Sequence, residues 1–218
     1  MGSKSTYRKQ FLSKHPTCCF CGGNFPAVEI DHIPSRVLFD NKHWPEGYEF
    51  PACIQCNRAT RHDEQVVAML SRVYPDAKSK EGQEEVQERI RAVAHNYPEV
   101  LEEMRPTARQ VRSTLKKYGI EKPDGITTAE LPFLSVSGPR LNAAIENFGR
   151  KLFCALFYKH TGVILPAKGG IAMKWFSNIQ IENDEIPRDL AKLVVGFPTL
   201  SRSRTNLDRQ FFYRYGIS

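Results

Sequence analysis

Apolar and polar residues recur with two different periods along this chain, and the change of period divides it. Val28, Ile30 and His32 alternate with Glu29 and Asp31, the period of a strand, and Pro34 ends it. Val66, Met69, Leu70 and Val73 recur at spacings of three and four, which predicts a helix opened by Asn57 and ended by Pro75. A more polar helical stretch carries Val86, Ile90, Val93, Ala94 and Tyr97 on one stripe and stops at Pro98. A further helix runs from a Thr107 cap to a Gly119 stop. Residues 119–137 carry proline and glycine punctuation and read as a linker. Beyond Gly138, Leu141, Ile145, Phe148, Leu152 and Leu156 predict the most hydrophobic helix, with Cys154 a packed thiol inside it. Residues 161–166 and 169–177 read as strands around a glycine turn. Residues 206–216 mix aromatics with arginines and read as an edge or final strand.

These elements describe an α+β chain. A module spans 1–75, a helical extension 76–118, a linker 119–137, and a mixed α/β C-terminal unit of unassigned role 138–218. At 218 residues, 41% of them hydrophobic, there is room for one large domain or two small ones. No apolar run approaches the length of a membrane span, and the basic, polar N-terminus has no signal-peptide pattern. With cysteines spaced for metal, this points to a reducing cytoplasm and no membrane partner.

The net charge of +7 and pI near 9.1 suit a polyanionic partner. Lys4, Arg8, Lys9 and Lys14 form either a short helix or arm that touches phosphates, or a solvated terminus. Arg105, Arg109, Arg112, Lys116 and Lys117 make the helix before Gly119 basic, a further candidate for contact with a nucleic-acid backbone.

The cysteines change the picture most. Cys18/Cys21 and Cys53/Cys56 are two Cys-x-x-Cys pairs. Each pair makes a turn that presents two thiolates, and two turns complete a tetrahedral four-sulfur shell for zinc. Such a shell leaves no open position, so this zinc is structural, and its binding energy substitutes for a core in a small module. Cys19 is either packing or an alternate ligand, and a pair of disulfides in a secreted domain is the competing explanation.

The ordered set of Cys-x-x-Cys, then E-I-D-H-I-P, then C-I-Q-C-N resembles the HNH endonuclease superfamily, over about residues 15–75. Within it, the pattern is most similar to the four-cysteine branch that includes phage junction-resolving endonuclease. The resemblance implies a zinc-stapled ββα-metal (treble-clef) module that hydrolyses DNA phosphodiesters. It implies His32 as general base, a residue type whose ordinary pKa lies near neutrality. It implies Asp31 and Asn57 as oxygen ligands for a catalytic magnesium or manganese ion. Adjacent residues on an ideal strand face opposite ways, so the strand is expected to bend or end near Asp31.

Arg36, Arg58 and Arg61 are the candidate phosphate contacts, and Arg61 lies one turn from Asn57. His62 is held as a backup. Where the family places an asparagine before the second cysteine pair, this chain has Tyr48, with Asn41 a candidate replacement. His43 and Trp44 read as a loop residue and a packed aromatic in preference to DNA contacts, and His15 as no ligand. Family members occur in phages, mobile elements and bacterial defence and often cut as dimers. The expected partners are therefore DNA, a second copy of the chain, and a protein partner for the C-terminal unit. Two other classes stay open: a nucleic-acid-binding zinc module without catalysis, and a protein-interaction scaffold.

Overall fold

A computed structural model describes residues 2–72, 80–131, 133–176 and 198–216. The chain is a mixture of helices and two small sheets. Helix α1 (Gly2–Lys14) leads into the first cysteine turn. Strands β1 (Glu29–His32) and β2 (Glu49–Ala52) pair antiparallel, with Ile30 opposite Pro51 and His32 opposite Glu49. Then come α2 (Ile54–Ala59), α3 (Arg61–Leu70), α4 (Lys80–Asn96), α5 (Pro98–Glu103), α6 (Ala108–Tyr118) and α7 (Pro139–Thr161). A two-residue hairpin of β3 (Ser201–Arg202) and β4 (Thr205–Asn206) follows. No helix among the described residues is long and apolar enough to cross a membrane.

Helix α7 is the spine, because its predicted apolar stripe is continuous. Leu141, Ala144, Ile145, Phe148, Cys154 and Ala155 are buried along it. Two clusters of buried side chains share that stripe. Leu141, Ala144 and Ile145 pack with Val66 and Met69 of α3, Val93 of α4, Val100 of α5, and Met104. Phe148 and Ala155 pack with Cys19, Ile33, Phe39, Tyr48 and Phe50, and with Leu200, Leu207 and Tyr213 near the C-terminus. The second cluster therefore joins the cysteine module to the last residues of the chain. Each fully buried Leu, Ile or Phe adds about 1.5–3 kcal/mol of burial energy.

Local signals set several boundaries. Thr107 accepts from the Gln110 backbone N–H while the Gln110 side chain returns to Thr107, a complete capping box. Gly119 closes α6 at φ 62°, a left-handed conformation that suits glycine. Gly138 caps α7, and Pro139 follows at its first position. The region 119–137 has no regular element among its described residues. The N-terminal basic stretch is a helix, and Arg8 Nη2 donates to the Val28 carbonyl at 2.6 Å.

Three sequence expectations are corrected. The helix expected from Asn57 is two helices broken at Thr60, and Asn57 lies inside the first. At the break Thr60 leaves helical geometry, with φ −102° and ψ 6°, and its hydroxyl donates to Glu64 at 2.8 Å and accepts from Lys151 while its carbonyl still accepts from the Glu64 N–H. The expected end at Pro75 lies outside the described residues.

Residues 163–166 and 171–176 are irregular rather than strands. The segment from 163 to 176 packs closely at two glycines instead: a Cβ on Gly22 would collide with the Ala167 backbone, and one on Gly149 with Met173. Residues 211–216 keep the alternation of burial, with Tyr213 buried and Phe212 exposed, yet no strand among the described residues pairs with them. The alternation reports which side faces the core and not a hydrogen-bonding partner.

Candidate functional site: a four-cysteine centre beside a basic pocket

Cys18 and Cys21 sit in the turn that precedes β1, and Cys53 and Cys56 at the start of α2. The Cys18 N–H donates to the Phe25 carbonyl, and the Cys19 N–H to Pro51 on β2, which docks the first turn on the hairpin. The four Sγ atoms lie within 4.8 Å of one another. A zinc–sulfur distance near 2.3 Å requires sulfurs about 3.8 Å apart in a tetrahedron, so the set fits zinc. Backbone N–H groups point at two of the sulfurs: Phe20 at Cys18, 3.5 Å, and Cys56 at Cys53, 3.4 Å. Burial, then neighbouring sulfurs, push the Cys56 thiol up, so the shell ionises fully only around a cation. None of the six cysteines is in a disulfide. Cys19 is fully buried in the core, and burial raises its thiol, so it packs rather than ligates.

The same hairpin carries Asp31 and His32, opposite Phe50 and Glu49 of β2. They face opposite ways, as a regular strand demands. Asp31 turns inward. Its Oδ1 accepts from the His32 backbone N–H at 2.8 Å, and its Oδ2 stands 2.7 Å from Lys151 Nζ, off the line of a directed hydrogen bond. Lys151 also reaches Glu64 Oε1 at 3.0 Å and Thr60 Oγ1 at 2.8 Å. Burial raises the Asp31 carboxyl against the pull of Lys151. Burial alone would depress Lys151, but Asp31 and Glu64 outweigh it and hold the ammonium charged.

His32 turns outward to the loop. Arg36 Nη2 donates to its Nε2 at 2.8 Å. An arginine only donates, so Nε2 is the unprotonated nitrogen. The indole of Trp44 lies edge-on to the imidazole, with ring centres 4.9 Å apart, and its Nε1 donates to Glu49 at 3.3 Å. The Arg36 and Arg202 guanidiniums stand 3.7 and 3.6 Å from the Trp44 ring centre. Two planar cations that close to one centre cannot share a face, so they sandwich the indole. Neither has a carboxylate within ion-pair distance among the described residues. Burial, then Arg36, then Arg202 lower the His32 pKa to about 4, which keeps the ring neutral at physiological pH.

Asp31, His32, Arg36, Lys42, Arg61 and Glu64 line a pocket of about 310 Å³. Of the three candidate phosphate contacts, Arg36 and Arg61 are in this lining. Arg58 is exposed outside this lining, and His62 stacks edge-on against Tyr97, with ring centres 4.7 Å apart, away from it. The Asn57 amide donates to Glu29 Oε2 at 2.6 Å and is not part of the lining. Asn57 and Asp31 therefore each have another partner. The four cysteines form the single cluster of three or more cysteine, histidine or acidic ligands among the described residues. As placed, the residues fit a structural zinc and do not fit a magnesium or manganese ion held by Asp31 and Asn57.

Tyr48 is buried, with its hydroxyl 3.0 Å from that of Tyr213, and Asn41 faces a separate groove. His15 bonds to the Tyr158 hydroxyl at 2.8 Å, away from the sulfurs. Sequence reasoning missed Lys151 and Arg202, and preferred packing to DNA contact for Trp44. Lys151 left a signal: it lies three residues after Phe148 on the apolar stripe of α7, where a charge requires a buried partner. Arg202 left none. Comparison with protein-family models, curated proteins and solved structures finds no match.

Proposed function

We propose that this chain is a nucleic-acid endonuclease of the HNH type, a zinc-stapled ββα-metal module that presents His32 to a phosphodiester of DNA. The observation that carries this is the neutral imidazole at the end of β1, with Nε2 unprotonated and with Arg36 and Arg202 beside it, neither paired with an acid among the described residues. The order of ligand pairs around Asp31-His32 supports the same assignment.

The chemistry follows from these groups. A phosphate entering the pocket draws Arg36 from Nε2 to its own oxygens, where a fork of N–H donors matches it. The freed Nε2 accepts a proton from a water as that water bonds to phosphorus, and the bond to the 3′ oxygen breaks as that oxygen takes up a proton from solvent. Arg36, Arg61 and Lys42 border the space in which negative charge grows on the phosphoryl oxygens. No step here passes through a second metal ion, because Asp31 and Asn57 do not form its donor set. The exposed basic residues Arg109, Arg112 and Lys116 of α6 add backbone contacts.

One observation favours a second reading, a zinc module that binds nucleic acid without cutting it: Lys151 engages the carboxylate that the family would use for metal. Plasmid nicking by zinc-loaded protein, with binding measured in parallel, separates the two. The nuclease reading expects nicking that His32→Ala abolishes while binding persists. Binding without nicking supports the second.

A further inference from the structure

We propose that Lys151 is a built-in cation at Asp31: its ammonium stands where a divalent ion would otherwise bind, and so excludes magnesium and manganese from this site. An ammonium has three N–H donors and no acceptor. Lys151 meets three oxygens, as an ion pair with Asp31 Oδ2 at 2.7 Å and by hydrogen bonds to Thr60 Oγ1 at 2.8 Å and Glu64 Oε1 at 3.0 Å, so its charge is held among them. The side chain is 5% exposed and projects from the buried face of α7, which packs along α3. It is therefore held by the fold and not by a mobile surface stem.

A hard divalent cation on Asp31 Oδ2 would sit within about 2.5 Å of that oxygen, in contact with the ammonium on the same atom. Like charges at that separation repel strongly beside a buried carboxylate. The oxygens that hold Lys151 are of the kind that such an ion would take: two carboxylates and a hydroxyl. The cation is thus supplied by a residue 87 positions from Glu64 in the chain, through the packing of α7 on α3.

The inference concerns the site assigned above to phosphodiester chemistry, but its test reads metal and not cleavage, so a chain that never cuts DNA leaves the result intact. Zinc-loaded full-length protein is titrated with manganese(II) and followed by electron paramagnetic resonance and by broadening of the His32 ring resonances. The wild type is expected to show no broadening at His32. Lys151→Ala, with zinc content and thermal unfolding checked, is expected to gain one manganese site at least tenfold tighter than any in the wild type. The double variant Lys151→Ala/Asp31→Asn is expected to lose it. Broadening of His32 in the wild type overturns the proposal, and so does a folded Lys151→Ala that is as blind to manganese as the wild type. If Lys151→Ala does not fold, the wild-type spectrum alone decides.

Discussion

Replacing Arg202 by methionine should raise the His32 pKa. Methionine keeps an apolar stem against the Trp44 face and removes the charge. The Arg202 guanidinium carbon is 3.6 Å from the indole centre, which is 4.9 Å from the imidazole centre; those two legs place the charge within about 8.5 Å of the ring. Coulomb's law gives about 0.5 kcal/mol at that distance in water and about 2 kcal/mol at the effective dielectric of a protein surface. At 1.36 kcal/mol per pH unit, the His32 midpoint should rise by about 0.4 to 1.4 pH units from its value of about 4. The increase is bounded because burial and Arg36 are the larger causes of the depression. The assay is proton NMR of the imidazole C2–H across pH 3 to 8, with the His32 resonance identified by its absence in His32→Gln. Arg204→Met, two residues along the hairpin and not among the charges that depress His32, should leave the midpoint in place. A midpoint unchanged or lowered in Arg202→Met would refute the placement of Arg202 beside this ring, as would a wild-type histidine that titrates at its ordinary value.

Further outcomes follow from other parts of the structure. Purified protein should contain one zinc per chain, and Cys53→Ser or Cys21→Ser should lose the metal and the cooperative unfolding transition, read by metal analysis and circular dichroism. Thr107→Ala breaks the capping box of α6 and should cost about 1 kcal/mol in denaturant unfolding, with Thr107→Ser restoring most of it. His32 is neutral when folded and has an ordinary pKa of 6.5 when unfolded, so the unfolded chain binds the extra proton between these values. Its contribution to stability should be full above pH 6.5, fall as pH drops toward 4, and be gone below. The shift corresponds to about 3 kcal/mol before solvent screening, and for this half-buried ring the slope should amount to on the order of 1–2 kcal/mol, absent in His32→Gln.

Local chemistry was legible in the sequence and long-range chemistry was not. The two cysteine pairs, the strand ending before Pro34, the Thr107 cap, the Gly119 stop and the stripe of α7 depend on residues a few positions apart, and the structure has all of them. The break at Thr60 was hidden because the apolar spacing of Val66, Met69 and Leu70 describes the second helix alone and is silent about Asn57. Asp31 read as a metal ligand through the family resemblance, which carries no record of a partner distant in this chain; that partner arrives on α7. Arg202 reaches Trp44 through a two-residue hairpin whose own sequence has no period to detect. The segments after α7 showed the right side chains for strands, yet a strand also needs a neighbour, which no local pattern records.

The decisive experiment is cleavage of supercoiled and linear DNA by zinc-loaded protein freed of other divalent ions, with wild type and His32→Ala compared at equal binding. The structure predicts nicking by the wild type, and its loss on removing the imidazole with DNA affinity retained. Equal cleavage by both proteins, or DNA held by the wild type and left whole, would contradict a catalytic role for His32.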